Sequence, residues 1–195
     1  MPDKFQNKYR IPSARLQGWD YGSNAVYFVT ICTKDRECFF GEIVETQNFA
    51  SQQQPTMQFS PIGKIANDYW LEIPKHFPFV KLDEFVTMPN HVHGIIIIDK
   101  RDDDGDRRDA KFCVSTGEQT QPSSTNTFGP QSKNLASIIR GYKSAVKKYA
   151  TINNINFAWQ SRFHDHIIRD NQSFNNISNY IINNPGNWAQ DQFFR

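Results

Sequence analysis

The sequence predicts an α+β domain, and three observations carry that prediction. Residues 25–33 and the four successive isoleucines Ile95 to Ile98 are rich in β-branched and aromatic side chains, the composition of buried strands. Two other stretches, near 60–74 and 132–150, repeat apolar residues at helical spacing. The two kinds of segment follow one another as strand, helix, hairpin, helix, strand. A chain of 195 residues is long enough to close that series around a sizeable core as one domain.

The elements can be justified in order. Residues 4–15 carry Lys4, Lys8, Arg10 and Arg15 and read as a solvated arm. The first strand covers residues 25–33, and the glutamine-rich residues 48–58 read as a polar loop. Ser60 is placed to cap a helix with Pro61 in its first turn. Ile62, Ile65, Ala66, Tyr69, Trp70 and Ile73 form its apolar stripe, and Pro74 is expected to close it. A strand from about 79 to 87 turns at Pro89-Asn90 and returns over 91–98, which makes a hairpin. Residues 99–131 combine a mixed charge run with Ser, Thr, Gln and Pro. They lack the apolar surface to offset ordering and are expected to form a mobile insertion. The aspartates 102, 103, 104 and 106 within it lack calcium-loop spacing.

The second helix spans about 132–150, with Leu135, Ile138, Ile139, Tyr142, Val146 and Tyr149 on its apolar face. Arg140, Lys143 and Lys147 share another face, with Lys148 beside them and Lys133 near the start. No acidic residue interrupts them, and a helix face of one sign favours phosphate contact. Residues 159–169 read as a short strand. Asp170 or Asn171 then caps a last helix that runs to about Asn184, before Pro185.

Composition narrows the function class. The formal net charge of +2 neither demands nor excludes a nucleic-acid partner. Three cysteines without a Cys-x-x-Cys pair suit a reducing compartment. The polar N-terminus does not look like a secretory signal, and the longest apolar run is too short to span a bilayer. A soluble cytoplasmic protein with no membrane association is therefore expected.

The chemistry-bearing residues lie on the hairpin and the last helix. His91 and His93 are two apart on a strand, so both imidazoles project from one face and form a divalent-metal clamp. Taken alone, such a pair also matches two hydrogen-bonded sheet histidines. His164 and His166 form a second His-x-His, ranked behind the first as a metal pair. Tyr180 and Asn184 stand at i and i+4, hence on one helix face. A metal clamp, a phenol and an oxygen ligand one turn away would together suit attack on a phosphodiester. A tyrosine nucleophile stores the bond as a phosphotyrosine link, which points to strand transfer and not to hydrolysis.

Three motifs in order carry a resemblance. They are Met88-Pro89-Asn90-His91-Val92-His93, then Trp159-Gln160-x-Arg162-Phe163-x-Asp165-His166-Ile167-Ile168-Arg169, then Tyr180-Ile-Ile-Asn-Asn184-Pro185. This series resembles the HUH tyrosine transposases, the single-strand-DNA transposases of small bacterial insertion sequences. With Arg15-Leu-x-Gly18-Trp-Asp20-Tyr21 it is most similar to the branch associated with repetitive extragenic palindromes. The similarity runs from about residue 15 to 187. It implies a ferredoxin-like β-α-β-β-α-β core with an antiparallel sheet and a C-terminal catalytic helix. It also implies that His91, His93 and Asn184 hold a magnesium or manganese ion and that Tyr180 is the nucleophile. The implied substrate is single-stranded or hairpin DNA, with Arg140, Lys143, Lys147, Lys148, Arg162 and Arg169 as expected contacts; monomer or homodimer is left open. The competing readings are a host-adapted nickase, a replication initiator or relaxase, and a non-catalytic ferredoxin-like nucleic-acid module. The last stacks bases on strand aromatics, and the hairpin strand here carries histidines and isoleucines instead.

Overall fold

The computed structural model describes residues 15–44, 55–100 and 132–194, together with the backbone of two short strands near the N-terminus. Those strands, β1 (Lys4–Phe5) and β2 (Lys8–Tyr9), pair with each other. The expected mobile insertion lies, from residue 101 to 131, outside the described residues.

The main sheet is built from four strands, and each follows from its residues. β3 (Ala25–Cys32) buries Tyr27, Val29 and Ile31 completely on one face, the period-two pattern of a pleated strand. Two short strands, β4 (Gly41–Val44) and β5 (Thr56–Phe59), then pair antiparallel. Thr56 to Gln58 thus belong to a strand where the composition indicated loop. Pairing with β4 holds this mostly exposed segment, and only Met57 packs against the core, so its residue types gave little signal.

Ser60 caps α1 (Pro61–Leu71) by accepting from the Gly63 amide. Pro74 does not end that helix but sits in the first turn of a separate short helix, α2 (Ile73–His76). A proline is tolerated there because its missing N–H would have had no intrahelical partner. β6 (Val80–Met88) and β7 (His91–Ile98) form the expected hairpin. α3 (Leu135–Ile152) starts at an Asn134–Ser137 capping box and buries Leu135, Ile138, Ile139, Tyr142, Val146 and Ala150. β8 is shorter than the motif that contains it, spanning His164–Ile168. Trp159 touches the sheet only through an isolated bridge to Thr33. Asp170 caps α4 (Asn171–Asn183) through the Ser173 amide, and a 3-10 segment, Pro185–Gln190, follows.

The strand order is β6-β7-β3-β8, with every neighbouring pair antiparallel. With α1 between β3 and β6, and α3 between β7 and β8, this is the ferredoxin-like β-α-β-β-α-β arrangement. α1 and α3 cover one face, where Tyr27, Val29, Ile31, Val92, Ile96 and Ile98 join Trp70, Ile138 and Tyr142 in the main core. The Tyr142 hydroxyl donates to Ala66 O at 2.9 Å and ties α3 to α1. The opposite face is covered by α4, whose Phe174, Ile177 and Ile181 meet Ile95, Ile168 and Phe28. The isoleucine run is therefore split by the pleat, Ile96 and Ile98 to one core and Ile95 and Ile97 to the other. Residues 15–21 pack beside β8, where Arg15 pairs with Asp165 at 3.7 Å and Arg169 lies over the Trp19 ring. Among the described residues, no helix is long and apolar enough to cross a membrane.

Candidate active site

His91 and His93 open β7, directly after the Pro89-Asn90 turn. Register places His91 opposite Cys32 and His93 opposite Thr30, so both imidazoles stand on the α4 side of the sheet. Both are essentially fully buried, at 0% and 1% exposure, and their ring centroids are 4.4 Å apart. Each has one ring nitrogen held from behind. His91 Nδ1 lies 2.8 Å from Asn90 Oδ1, and His93 Nδ1 lies 2.8 Å from Thr30 Oγ1. Such outer contacts orient metal-binding histidines and fix their tautomer. Burial holds both imidazoles neutral: it is the main cause lowering His91 well below the usual histidine range, and it takes His93 down to about 3, with His164 adding a smaller effect. A neutral ring is the form that ligates a cation.

α4 brings Tyr180 to the same place. Its hydroxyl lies 3.2 Å from His93 Nε2, and its ring meets His93 and, edge-on, Phe28. Tyr180 is 42% exposed, so a substrate can reach it beside a buried histidine pair. Partial burial and then the Asp191 charge raise its pKa, while Asn184 acts the other way. One turn on, Asn184 is buried, and its Nδ2 donates to Asp191 Oδ2 at 3.2 Å.

Asp191 is the residue that sequence reasoning missed. It follows the 3-10 segment, beyond any periodic stretch, and only a short return of the chain brings it under the sheet. Ligand-forming atoms of His91, His93 and Asp191 lie within 4.8 Å of one another. The donor set fits a divalent cation: two neutral imidazoles, a carboxylate and a carboxamide oxygen. Within this donor set two buried atoms are left without a hydrogen-bond partner, His91 Nε2 and Asn184 Oδ1. Unpartnered buried polar atoms are costly, and a bound cation would satisfy both. The rival pair does not join this group. His164 and His166 are exposed on β8, with His164 opposite Thr30 on the far side from His93.

The expected DNA contacts fall on two surfaces. Arg140, Lys143, Lys147 and Lys148 line one cleft of about 880 Å³, together with Arg15, Trp159 and Phe163. The cleft lies on the α3 side, across the sheet from Tyr180. Two of its lysines already have partners. Lys143 Nζ donates to Gln160 O at 2.5 Å, and Lys147 Nζ to Phe157 O at 2.6 Å. These bonds fix the 157–161 loop while leaving the positive charge in the cleft. Arg162 and Arg169 flank β8 and are exposed, outside the residues lining that cleft.

The fold and the site together define a ferredoxin-like protein whose buried histidine pair, with Asp191, could hold a metal ion. The fold is shared with the structure of a REP-associated tyrosine transposase bound to a REP hairpin, at a TM-score of 0.50 and 17% identity, over 90% of this chain and 73% of that one. The resemblance read from the motifs is thus met at the level of the fold. A Deinococcus radiodurans protein, described as a candidate transposase, aligns with a TM-score of 0.41 and 11% identity, over 88% of this chain and 97% of that one. No protein-family model matches the chain. The chain belongs to one family with an uncharacterized protein of Haemophilus influenzae, to which it is 38% identical over 183 residues, covering 93% of this chain and 92% of that protein.

Proposed function

We propose that the chain is a metal-dependent single-strand-DNA transposase that cuts and rejoins through Tyr180, acting on hairpin or palindromic DNA. The observation that carries this reading is the convergence of the half-exposed Tyr180, at 3.2 Å from His93, with the buried His91 and Asn184 and the half-buried Asp191. His91, His93, Asp191 and Asn184 would hold magnesium or manganese. When bound, the ion supplies charge neutralisation for a phosphodiester whose anionic oxygens otherwise repel a nucleophile.

The chain's own residues do the rest. The Tyr180 oxygen attacks phosphorus, and its proton leaves to solvent, to which the side chain is open. The phosphorus–O3′ bond breaks, and the departing 3′ oxygen takes up a proton as a free hydroxyl. The product is a 5′-phosphotyrosine that a second hydroxyl can attack in reverse, so no bond energy is lost. Phe28 and His93 hold the ring from two sides, which limits the positions the oxygen can take. Arg140, Lys143, Lys147 and Lys148 would neutralise backbone phosphates across the sheet, and Arg162 and Arg169 those of the strand passing β8.

The test is a covalent adduct. Incubated with manganese and a single-stranded hairpin from its own genomic surroundings, the protein should become linked to one DNA fragment under denaturing conditions. Tyr180→Phe should abolish the adduct. It should leave the melting temperature nearly unchanged, because a half-exposed hydroxyl contributes only about 1 kcal/mol or less. An undiminished adduct from Tyr180→Phe would refute the assignment.

A further inference from the structure

Asn90 occupies a turn, yet it is completely buried. Its carbonyl oxygen accepts from the Thr33 amide at 2.9 Å, which ties the turn to the end of β3. Its side chain is fully committed. Nδ2 donates to Arg36 O at 3.0 Å and to Phe193 O at 2.8 Å, which uses both amide hydrogens. Those two carbonyl acceptors settle which end of the amide is nitrogen. Oδ1 must then be the atom 2.8 Å from His91 Nδ1. An amide oxygen only accepts, so the His91 proton has to be on Nδ1. In a neutral ring, that leaves the Nε2 lone pair free, on the very atom that is buried without a partner.

The same amide reaches the other end of the chain. Phe193, whose carbonyl it holds, lays its ring against His91 with centroids 4.6 Å apart. The Arg36 guanidinium lies 4.9 Å above the Phe193 ring and donates to Gln192 O at 3.1 Å. Two residues back is Asp191, whose Oδ1 accepts from the Phe193 amide at 2.7 Å. The strand ligand and the C-terminal carboxylate are thus registered against each other through one side chain.

We infer that Asn90 is the positioning residue of the metal centre: one carboxamide sets the tautomer of His91 and holds the C-terminal segment that delivers Asp191. The inference rests on the reading of His91 and Asp191 as ligands, and it explains why a turn residue is buried with every side-chain polar atom used.

The first test needs no substitution. Long-range proton–nitrogen correlation on the metal-free protein should show His91 protonated on Nδ1 and bare on Nε2; a proton on Nε2 would overturn the inference. The second test measures manganese affinity by calorimetry. Asn90→Ala removes both the acceptor and the donors, and should weaken binding by about 10–100-fold. Asn90→Asp keeps an acceptor for His91 but cannot donate to Phe193. It should bind with intermediate affinity, keep the Nδ1 proton on His91 and change the emission of Trp188 as the segment loosens. A folded Asn90→Ala protein that binds manganese as tightly as the wild type would also overturn the inference. Should the variants not fold, the tautomer of the wild type decides. Failure of the wild type to bind manganese, with His91 still protonated on Nδ1, would strike the metal reading and not the hold of Asn90 on His91.

Discussion

Replacing Gly94 by alanine tests how the sheet supports the site. Gly94 follows His93 and faces the α1/α3 core, where a Cβ would overlap Trp70 Cζ2 and lie 2.9 Å from Trp70 Cε2 and 3.0 Å from Phe85 Cβ. Carbon–carbon contacts settle at about 3.5–4.0 Å, so the indole must retreat by roughly 1 Å. It has little room. Trp70 is fully buried, stacked on Phe85 at 5.9 Å and edge-on to Tyr142 at 5.4 Å. Overpacking of this kind costs about 1–3 kcal/mol. In a domain of this size each kcal/mol moves the melting temperature by about 2–4 °C, so Gly94→Ala should lower it by about 2–12 °C. Trp70→Phe removes the offending ring atoms and breaks no hydrogen bond, since Trp70 Nε1 has no partner. Urea denaturation of both single variants and the double variant then gives the coupling. The double variant should be more stable than the sum of the singles by at least about 1 kcal/mol. Additivity to within about 0.5 kcal/mol would show that Gly94 and Trp70 do not compete for the same space, and would refute the reasoning.

Two further outcomes follow from the site and the cleft. Asp191→Asn keeps the side-chain shape but removes a charged ligand, so manganese affinity measured by calorimetry should fall by about 10-fold or more; an unchanged affinity would remove Asp191 from the donor set. Arg140 and Lys148 are exposed cleft cations, and the double variant Arg140→Ala/Lys148→Ala should reduce the salt dependence of single-strand binding by about 1.4 in log–log slope; an unchanged slope would mean that DNA does not follow this cleft.

Local pattern determined the elements, because periodicity and capping act over a few residues. Tyr27, Val29 and Ile31 alternate, Ser60 and Asp170 cap their helices, and the His91–Ile98 strand begins where its residue types begin. The same short range placed His91 with His93 and Tyr180 with Asn184, each pair one repeat apart on its own element. That the two pairs meet was expected from the family resemblance; the register of β7 and the packing of α4 over it bring Tyr180 to 3.2 Å from His93. What the chain does outside its periodic stretches was not legible. Thr56 to Gln58 become a strand only because β4 lies alongside, and Trp159 stays outside β8 in a loop whose carbonyls bind Lys143 and Lys147. Asp191 had no signal, since its neighbours carry neither repeat nor motif. Its place beneath His91 depends on Arg36, Asn90 and Phe193, residues more than fifty positions apart in the chain that only the folded backbone brings together. Spacing along one element is written in the sequence, whereas contacts between distant segments are decided by how the elements pack.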